Sequence, residues 1–103
     1  MQLQGKVAVV TAGANGIGEG AALALAGMGA DIVLGDIDAH NGARVAAAIE
    51  AIGRRAAFRP ADMMQADQAR ALVDFAAAEF GRIDILVNNA GGVRPRAFLD
   101  QNE

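Results

Sequence analysis

TAGANGIGEG, Thr11 to Gly20, contains four of the thirteen glycines of this chain within ten residues. The stretch follows the apolar run KVAVV (residues 6–10) and precedes a segment rich in alanine and leucine. This order predicts a strand, a tight turn and then a helix. Glycine suits such a turn because it adopts backbone conformations that other residues avoid and lets another group approach the backbone closely. The fold and a candidate ligand site therefore both depend on this corner.

The rest of the chain alternates between short apolar runs and longer segments with apolar residues at helical spacing. Strands that alternate with helices of roughly 12 to 15 residues imply right-handed crossovers and a parallel sheet covered on both faces. The predicted fold class is therefore α/β, a Rossmann-type doubly wound parallel sheet, with about four strands and three helices of a larger three-layer domain. The predicted strands are Lys6–Ala12, Asp31–Gly35, Ala56–Arg59 and Ile83–Asn88, and the predicted helices are Gly16–Met28, Ala39–Ile52 and Ala66–Phe80.

The same spacing predicts which side chains face the sheet and which residues begin the helices. Asp38 is predicted to cap the second helix, Gln65 to start the third helix weakly, Met64 to fill the core, and Asp84 to have a structural role. The fourth strand would be an open edge, and the helices that normally cover part of each sheet face would be missing, so the first and fourth strands are expected to be partly exposed. The predicted inward residues are Ile17, Ala21, Ala24, Leu25 and Met28 in the first helix, and Val45, Ala48, Ile49 and Ile52 in the second.

Composition narrows the function classes. The 103 residues carry a net charge of −3 at pH 7, which argues against a nucleic-acid surface because phosphate binding needs a clustered basic face. The chain has no cysteine, so disulfides and thiolate metal sites are excluded, and no metal site is predicted. No apolar stretch is long enough to span a bilayer and no signal peptide is recognisable, so no membrane partner and a cytoplasmic location are expected.

Side chains that usually perform catalysis are scarce. The chain contains no Ser, Tyr or Trp, and Lys6, Thr11 and His40 are the only residues of their types. Most nucleophiles and proton carriers that act at neutral pH are therefore absent, and no catalytic residue is predicted within residues 1–103. His40 has no partner acid and is predicted to lie on the surface.

Four features are predicted at one edge of the sheet, each at the end of its own strand. The first is the glycine set Gly13, Gly16 and Gly18, with the spacing G-x-x-G-x-G at a helix N-terminus that favours a diphosphate. Asp36 follows Gly18 by eighteen residues, near the spacing at which an acid binds an adenosine ribose. Asp62 follows the third strand, and Asn-Asn-Ala-Gly (residues 88–91) ends the fourth. The alternative is a tight strand–helix junction that binds no ligand, with Asp36 and Asp62 acting only as helix caps or turn residues. Four features on one edge of the sheet favour a dinucleotide site over this alternative.

Two longer motifs resemble the short-chain dehydrogenase/reductase family, and the resemblance covers nearly all of the chain. Residues 11–18 resemble the T-G-x-x-x-G-x-G cofactor loop, with Ala12 and Gly13 exchanged, and GRIDILVNNAG (residues 81–91) matches G-x-x-D-x-L-V-N-N-A-G. The resemblance implies hydride transfer between a nicotinamide dinucleotide and an alcohol or ketone. It also implies contacts with the cofactor. Asn15 and Ile17 would contact the phosphates and ribose, and Asp36 would bind the adenosine ribose. Asp62 and Met63 would contact the adenine, and the nicotinamide-side ribose would be lined by Asn89, Ala90 and Gly91.

Asp36 favours NAD over NADP. A 2′-phosphate about 4 Å from a carboxylate meets a repulsion of roughly 4 kcal/mol at an effective dielectric of 20. In relatives that use NADP, a cation that offsets this repulsion stands at the positions of Asn15 and Ile37. Neither residue is charged, so NAD is the predicted cofactor.

The family's proton-handling Tyr, Lys and Ser, and a further Asn, lie beyond the region of resemblance. Residues 1–103 are therefore expected to be the N-terminal part of one dinucleotide-binding domain, with the catalytic part after residue 103, and to be inactive alone. The full-length protein is expected to form a homodimer or homotetramer. Two alternatives remain, a non-catalytic dinucleotide-binding or regulatory domain, and part of an S-adenosylmethionine-dependent methyltransferase, whose cofactor also lies on a glycine loop.

Overall fold

The computed structural model describes residues 2–11 and 16–88, in which strands and helices alternate along the chain. The order of the elements confirms the prediction, the third helix has the predicted bounds, and each other element differs from its prediction by one or two residues at one end or both. The predicted end of the first strand, Ala12, lies outside the described residues. The strands are β1 (Val7–Thr11), β2 (Asp31–Asp36), β3 (Ala56–Pro60) and β4 (Ile85–Asn88), and the helices are α1 (Gly16–Gly27), α2 (Ala39–Ala51) and α3 (Ala66–Phe80).

The four strands form one parallel sheet in the order β3-β2-β1-β4. The chain first moves outward from β1 to β3 and then crosses back to place β4 on the other side of β1. This reversal is the defining feature of a doubly wound sheet, and ligands bind beside it, beyond the carboxyl ends of the strands. The predicted fold class is confirmed over the described residues.

The sheet separates two hydrophobic clusters. Ala8 and Val10 point into a cluster with residues of α1 and α2, whereas Val7 and Val9 point into a second cluster with residues of α3. All five residues of β1 are buried, so the expectation that β1 would be partly exposed is wrong. β1 is buried because it is paired on both sides and covered on both faces. The four residues of β4 are half-buried, which confirms the expectation for the last strand of the described sheet.

The predicted inward face of α1 is only partly correct, since Leu25 packs against the first hydrophobic cluster as predicted but the fully buried residues are others. The buried residues are Gly18, Ala22 and Ala26, at a spacing of four, whereas Ile17 is 75% exposed and Met28 is 38% exposed. Because α1 is apolar on most of its circumference, spacing alone did not distinguish its faces. The residues that face the sheet are all small, which lets the helix pack close to it.

Two further packing predictions are wrong, and two capping predictions are confirmed. Ile52 follows the last residue of α2 and is 54% exposed, and Met64 is 73% exposed in the segment before α3. The Asp38 carboxylate accepts a hydrogen bond from the N–H of Asn41, 3.0 Å away, and caps α2 as expected. Gln65 makes no side-chain capping hydrogen bond, so α3 begins without a cap.

Asp84 joins the amino ends of β1 and β4. Its Oδ2 accepts a hydrogen bond from the N–H of Val7 at 2.9 Å, and both carboxylate oxygens accept from the Arg82 guanidinium at 2.8 Å. The hydrogen bond from Arg82, and after it the one from Val7, hold the pKa of Asp84 below its usual value. These contacts confirm the structural role predicted for Asp84.

Asp84→Asn is expected to lower the thermal midpoint of the intact protein slightly at neutral pH, because the amide lacks the negative charge that accepts from both the Val7 N–H and the Arg82 guanidinium, and an exposed ion pair alone contributes little. A carboxyl group whose pKa is lowered on folding stabilises the fold above its unfolded pKa of about 4, and this stabilisation is lost as the pH falls through the lower folded pKa. The midpoints of wild type and variant should therefore differ from about pH 7 to about pH 5 and converge below. Melting curves followed by circular dichroism measure this. A difference that stays constant down to about pH 3 would contradict an ionic role.

Candidate dinucleotide-binding site

The carboxyl ends of β1 and β4 are joined at the edge of the sheet where the site is predicted. The pairing register places Thr11 between Gly35 and Asn88. The Thr11 hydroxyl lies 2.9 Å from Oδ1 of Asn88 and 3.2 Å from the carbonyl oxygen of Val87, and these two acceptors share its proton. The buried Thr11 thus orients the residue that precedes Asn-Ala-Gly (89–91). The sequence marked Thr11 only as the start of the glycine loop, and this contact was not predicted.

α1 begins at Gly16, on the corner that follows β1. A helix N-terminus carries unpaired N–H groups and a partial positive charge, so it attracts an anion. Gly16 does not have a positive φ, and no described atom lies within 4 Å of the place that a Cβ would occupy. Neither the backbone conformation nor the packing of the described residues therefore requires glycine here. Open space at a helix N-terminus is compatible with the predicted diphosphate, and the contact with Gly16 stays a prediction.

Two isoleucines extend into solvent at this edge. Ile17, in the first turn of α1, is 75% exposed, and Ile37, directly after β2, is 74% exposed. The residue after Ile17, Gly18, is buried on the face of α1 that packs against the sheet. Large apolar side chains in these positions can cover the apolar surfaces of a bound dinucleotide, and cofactor contacts of Ile17 and Ile37 stay predictions.

Asp36 is the last residue of β2 and is half-buried. Its Oδ1 accepts a hydrogen bond from the N–H of Asp38 at 2.9 Å, which orients the carboxylate at the carboxyl edge of the sheet. The residue between them, Ile37, brings no positive charge. The structure thus places an acid where the sequence predicted a partner for the ribose hydroxyls.

Asp62 lies in the turn that follows β3. Its Oδ1 accepts from the N–H of Met64 at 3.0 Å, and its own N–H donates to Oε1 of Gln68 at 2.6 Å. A turn role and a ligand role are compatible, because a carboxylate offers about four acceptor sites. Met63 is half-buried and packs against the cluster beneath α3, and with Met64 it lines a groove of about 680 Å³ along the first half of α3.

A chain of hydrogen bonds connects α2 to α1, and the sequence did not predict it. The Asn41 amide donates to Oδ2 of Asp38 at 2.8 Å, and Nε of Arg44 donates to Oδ1 of Asn41 at 3.3 Å. Arg44 also donates to both carboxylate oxygens of Glu19, Nη1 to Oε2 at 3.2 Å and Nη2 to Oε1 at 2.8 Å. The spacing of three between Asp38, Asn41 and Arg44 was the available signal, because such residues are neighbours on a helix surface.

The two carboxylates in this series of hydrogen bonds, Glu19 and Asp38, stay ionised at neutral pH. The hydrogen bond from Arg44 lowers the pKa of Glu19 from its usual value. The backbone N–H and then the side-chain amide of Asn41 lower the pKa of Asp38. Glu19 lies in the first turn of α1, so its negative charge is located close to the helix N-terminus.

Several predicted site residues lie outside the described residues, so their cofactor contacts stay predictions. They are Gly13, Asn15, Asn89, Ala90 and Gly91. His40 is exposed, as predicted. Within residues 2–11 and 16–88, no group of three metal-ligating side chains is found. None of the three helices in this part of the chain has the length and apolar character needed to cross a membrane.

The parallel doubly wound sheet, the glycine corner at a helix N-terminus and the acid at the end of β2 define the dinucleotide-binding class of α/β proteins. The family model described as short chain dehydrogenase matches residues 6–103. The chain belongs to this family of oxidoreductases, whose members bind nicotinamide cofactors.

Named relatives and a solved structure agree with this membership. The chain is 46% identical over 101 residues to 2-dehydro-3-deoxy-D-gluconate 5-dehydrogenase of Escherichia coli (strain K12), covering 98% of this chain and 39% of that protein. It is 46% identical over 96 residues to cis-4-hydroxycyclohexanecarboxylate dehydrogenase of Sinomonas cyclohexanicum, covering 93% of this chain and 38% of that protein. The crystal structure of hydroxysteroid dehydrogenase from Escherichia coli superposes with a TM-score of 0.84 at 39% identity, covering 94% of this chain and 41% of that one. The chain thus spans about two-fifths of the length of these relatives.

Proposed function

We propose that residues 1–103 are the NAD-binding part of a short-chain dehydrogenase/reductase that transfers hydride between nicotinamide and an alcohol or ketone. The observation that supports NAD is the half-buried carboxylate of Asp36 at the carboxyl end of β2, followed by the exposed and uncharged Ile37. A carboxylate accepts hydrogen bonds from both ribose hydroxyls of NAD and repels the 2′-phosphate of NADP.

The remaining proposed contacts are distributed along the dinucleotide from one end to the other. The diphosphate lies over the N-terminus of α1, and Asp36 binds the adenosine ribose while Asp62 and Met63 flank the adenine. The nicotinamide, when bound, supplies the hydride acceptor or donor. The predicted diphosphate contacts are Gly13, Asn15, Gly16, Ile17 and Gly18, and the predicted contacts with the nicotinamide-side ribose are Asn89, Ala90 and Gly91.

The proton transfer that accompanies hydride transfer is assigned to residues after Glu103. Residues 1–103 contain no Tyr and no Ser, and Lys6 lies just before β1, at the amino edge of the sheet and opposite the site. The relatives extend well beyond the aligned region, and their names describe dehydrogenases. A small alcohol or ketone is therefore the proposed substrate class, and a homo-oligomer the proposed assembly of the full-length protein.

Two other functions share the same sheet and glycine corner. A non-catalytic dinucleotide-binding or regulatory domain would bind NAD without turnover in the intact protein. A methyltransferase would bind S-adenosylmethionine in place of NAD, but the match to the dehydrogenase family supports the dehydrogenase over this alternative.

Titration of the intact protein with NAD, NADP and S-adenosylmethionine, followed by calorimetry, tests the proposal. NAD should bind most tightly, and Gly16→Ala should weaken NAD about tenfold, because a methyl group at the helix start obstructs the approach of the diphosphate. Gly20→Ala is the matched control, since it also lies in α1 with no described atom within 4 Å of its Cβ position. Tighter binding of S-adenosylmethionine, or equal effects of the two alanines, would overturn the proposal.

A further inference from the structure

Glu19 places a negative charge beside the proposed diphosphate position. α1 begins at Gly16 and rises about 1.5 Å per residue, so Glu19 lies about 4.5 Å along the axis from the helix start. An acid in the first turn favours the helix dipole when the site is empty. Because this axial offset is shorter than the Debye length of about 8 Å at physiological salt, we expect salt to screen only part of the repulsion between the acid and a diphosphate bound at the helix start. An uncompensated Glu19 would therefore weaken the binding of a dinucleotide.

Arg44 compensates this charge from the neighbouring helix. Its guanidinium binds both oxygens of the Glu19 carboxylate, at 2.8 and 3.2 Å, and this two-point geometry is the strongest form of the arginine–carboxylate pair. The guanidinium is restrained from the other side by Asn41, which accepts from Nε. The lowered pKa of Glu19 shows that the carboxylate stays charged, so the neutralising group is Arg44 and not a proton.

We infer that Arg44 is a positioning residue for the cofactor, which neutralises Glu19 and thereby keeps the N-terminus of α1 attractive for the diphosphate. This inference rests on the proposed function, since it assumes that a dinucleotide occupies that N-terminus. Half of the Arg44 side chain is exposed. Ion pairs at such exposed positions contribute little to stability, so the consequence is expected in cofactor affinity and not in the melting temperature.

A series of four proteins separates a charge effect from a simple loss of the ion pair. Relative to wild type, Arg44→Met changes the local charge by −1 and Glu19→Gln changes it by +1. In the double variant these two changes cancel, so the local charge equals that of wild type. NAD should bind about three- to tenfold more weakly to Arg44→Met, as tightly as wild type or tighter to Glu19→Gln, and within about twofold of wild type to the double variant. If the ion pair served only to clamp α1 to α2, all three variants would weaken NAD by similar factors.

Arg82→Met is the matched control. Arg82 forms the second two-point ion pair of the described residues, with Asp84, and its side chain is 51% exposed against 50% for Arg44. It lies at the amino edge of the sheet, opposite the proposed site. NAD affinity should therefore be unchanged in Arg82→Met. The weakening in Arg44→Met should shrink when the salt concentration is raised from about 0.05 M to about 0.5 M, because exposed charges are screened.

Calorimetric titration of the intact protein with NAD gives these affinities, and circular dichroism spectra establish that each variant is folded. If wild type binds no NAD, the proposed function fails and this inference fails with it. If wild type binds NAD and Arg44→Met binds it equally, only the inference is overturned. It is also overturned if the double variant binds as weakly as Arg44→Met, or if salt leaves the difference unchanged.

Discussion

Asp36→Asn is expected to remove most of the preference for NAD over NADP. The wild-type carboxylate repels a 2′-phosphate by up to about 4 kcal/mol, and because Asp36 is only half-buried we expect about a hundredfold preference for NAD after solvent screening. The amide lacks the charge, so NADP should gain affinity and the ratio of the two dissociation constants should fall below about ten. The amide oxygen can still accept from the N–H of Asp38, so the local turn is retained.

The measurement is a pair of titrations, with NAD and with NADP, on each intact variant. Asp36→Ala should also narrow the preference but should weaken NAD further, since it removes the hydrogen bonds to the ribose hydroxyls, each worth about 1.5–3 kcal/mol to a charged group. Asp62→Asn is the control, because the adenine is common to both cofactors and the ratio should stay at the wild-type value. Equal affinity of the wild-type protein for NAD and NADP would refute the assignment of Asp36.

The sheet and its ligand edge were predictable because each depends on a local pattern. The short apolar runs are the strands, and glycines or acids follow them at the carboxyl ends, so topology alone brings Gly16, Asp36 and Asp62 to one edge. The face of α1 was not predictable in this way. Its apolar residues surround the helix, and the choice of Ala22 and Ala26 over Met28 depends on how closely the helix can approach the sheet.

The contacts that orient the site are long-range and were missed for that reason. Thr11 and Asn88 are separated by 77 positions, and Glu19 and Arg44 by 25, so no helical or strand period relates them. Each pair joins two secondary-structure elements that become neighbours only when the chain folds. Local spacing could indicate that Arg44 shares a helix face with Asn41, but not that this face meets α1.

Gly35 is a second example of a requirement that only packing reveals, and its contact with a core side chain carries a large expected effect on stability. It lies in β2 immediately before Asp36, and a Cβ at this position would overlap the fully buried side chain of Leu72 from α3. Gly35→Ala is therefore expected to lower the free energy of unfolding by about 1–3 kcal/mol, because a packed core accommodates an added methyl group only by shifting its neighbours. Leu72→Ala should lower it by about 2–5 kcal/mol through the cavity that it leaves.

The double variant Gly35→Ala/Leu72→Ala decides whether the two residues act through this one contact. The methyl group introduced at position 35 would enter the space vacated by Leu72, so the two losses should not add, and the coupling free energy should be about 1–2 kcal/mol in the stabilising direction. Urea unfolding of the four proteins measures it, with Gly20→Ala as the control, in which a methyl group in open space should be neutral or slightly stabilising. If the losses of unfolding free energy in the two single variants simply add in the double variant, the strain of Gly35→Ala does not arise from its contact with Leu72. Because Gly35 adjoins Asp36, the same contact links core packing to the proposed ribose site, and Gly35→Ala should also weaken the binding of NAD while Gly20→Ala should not.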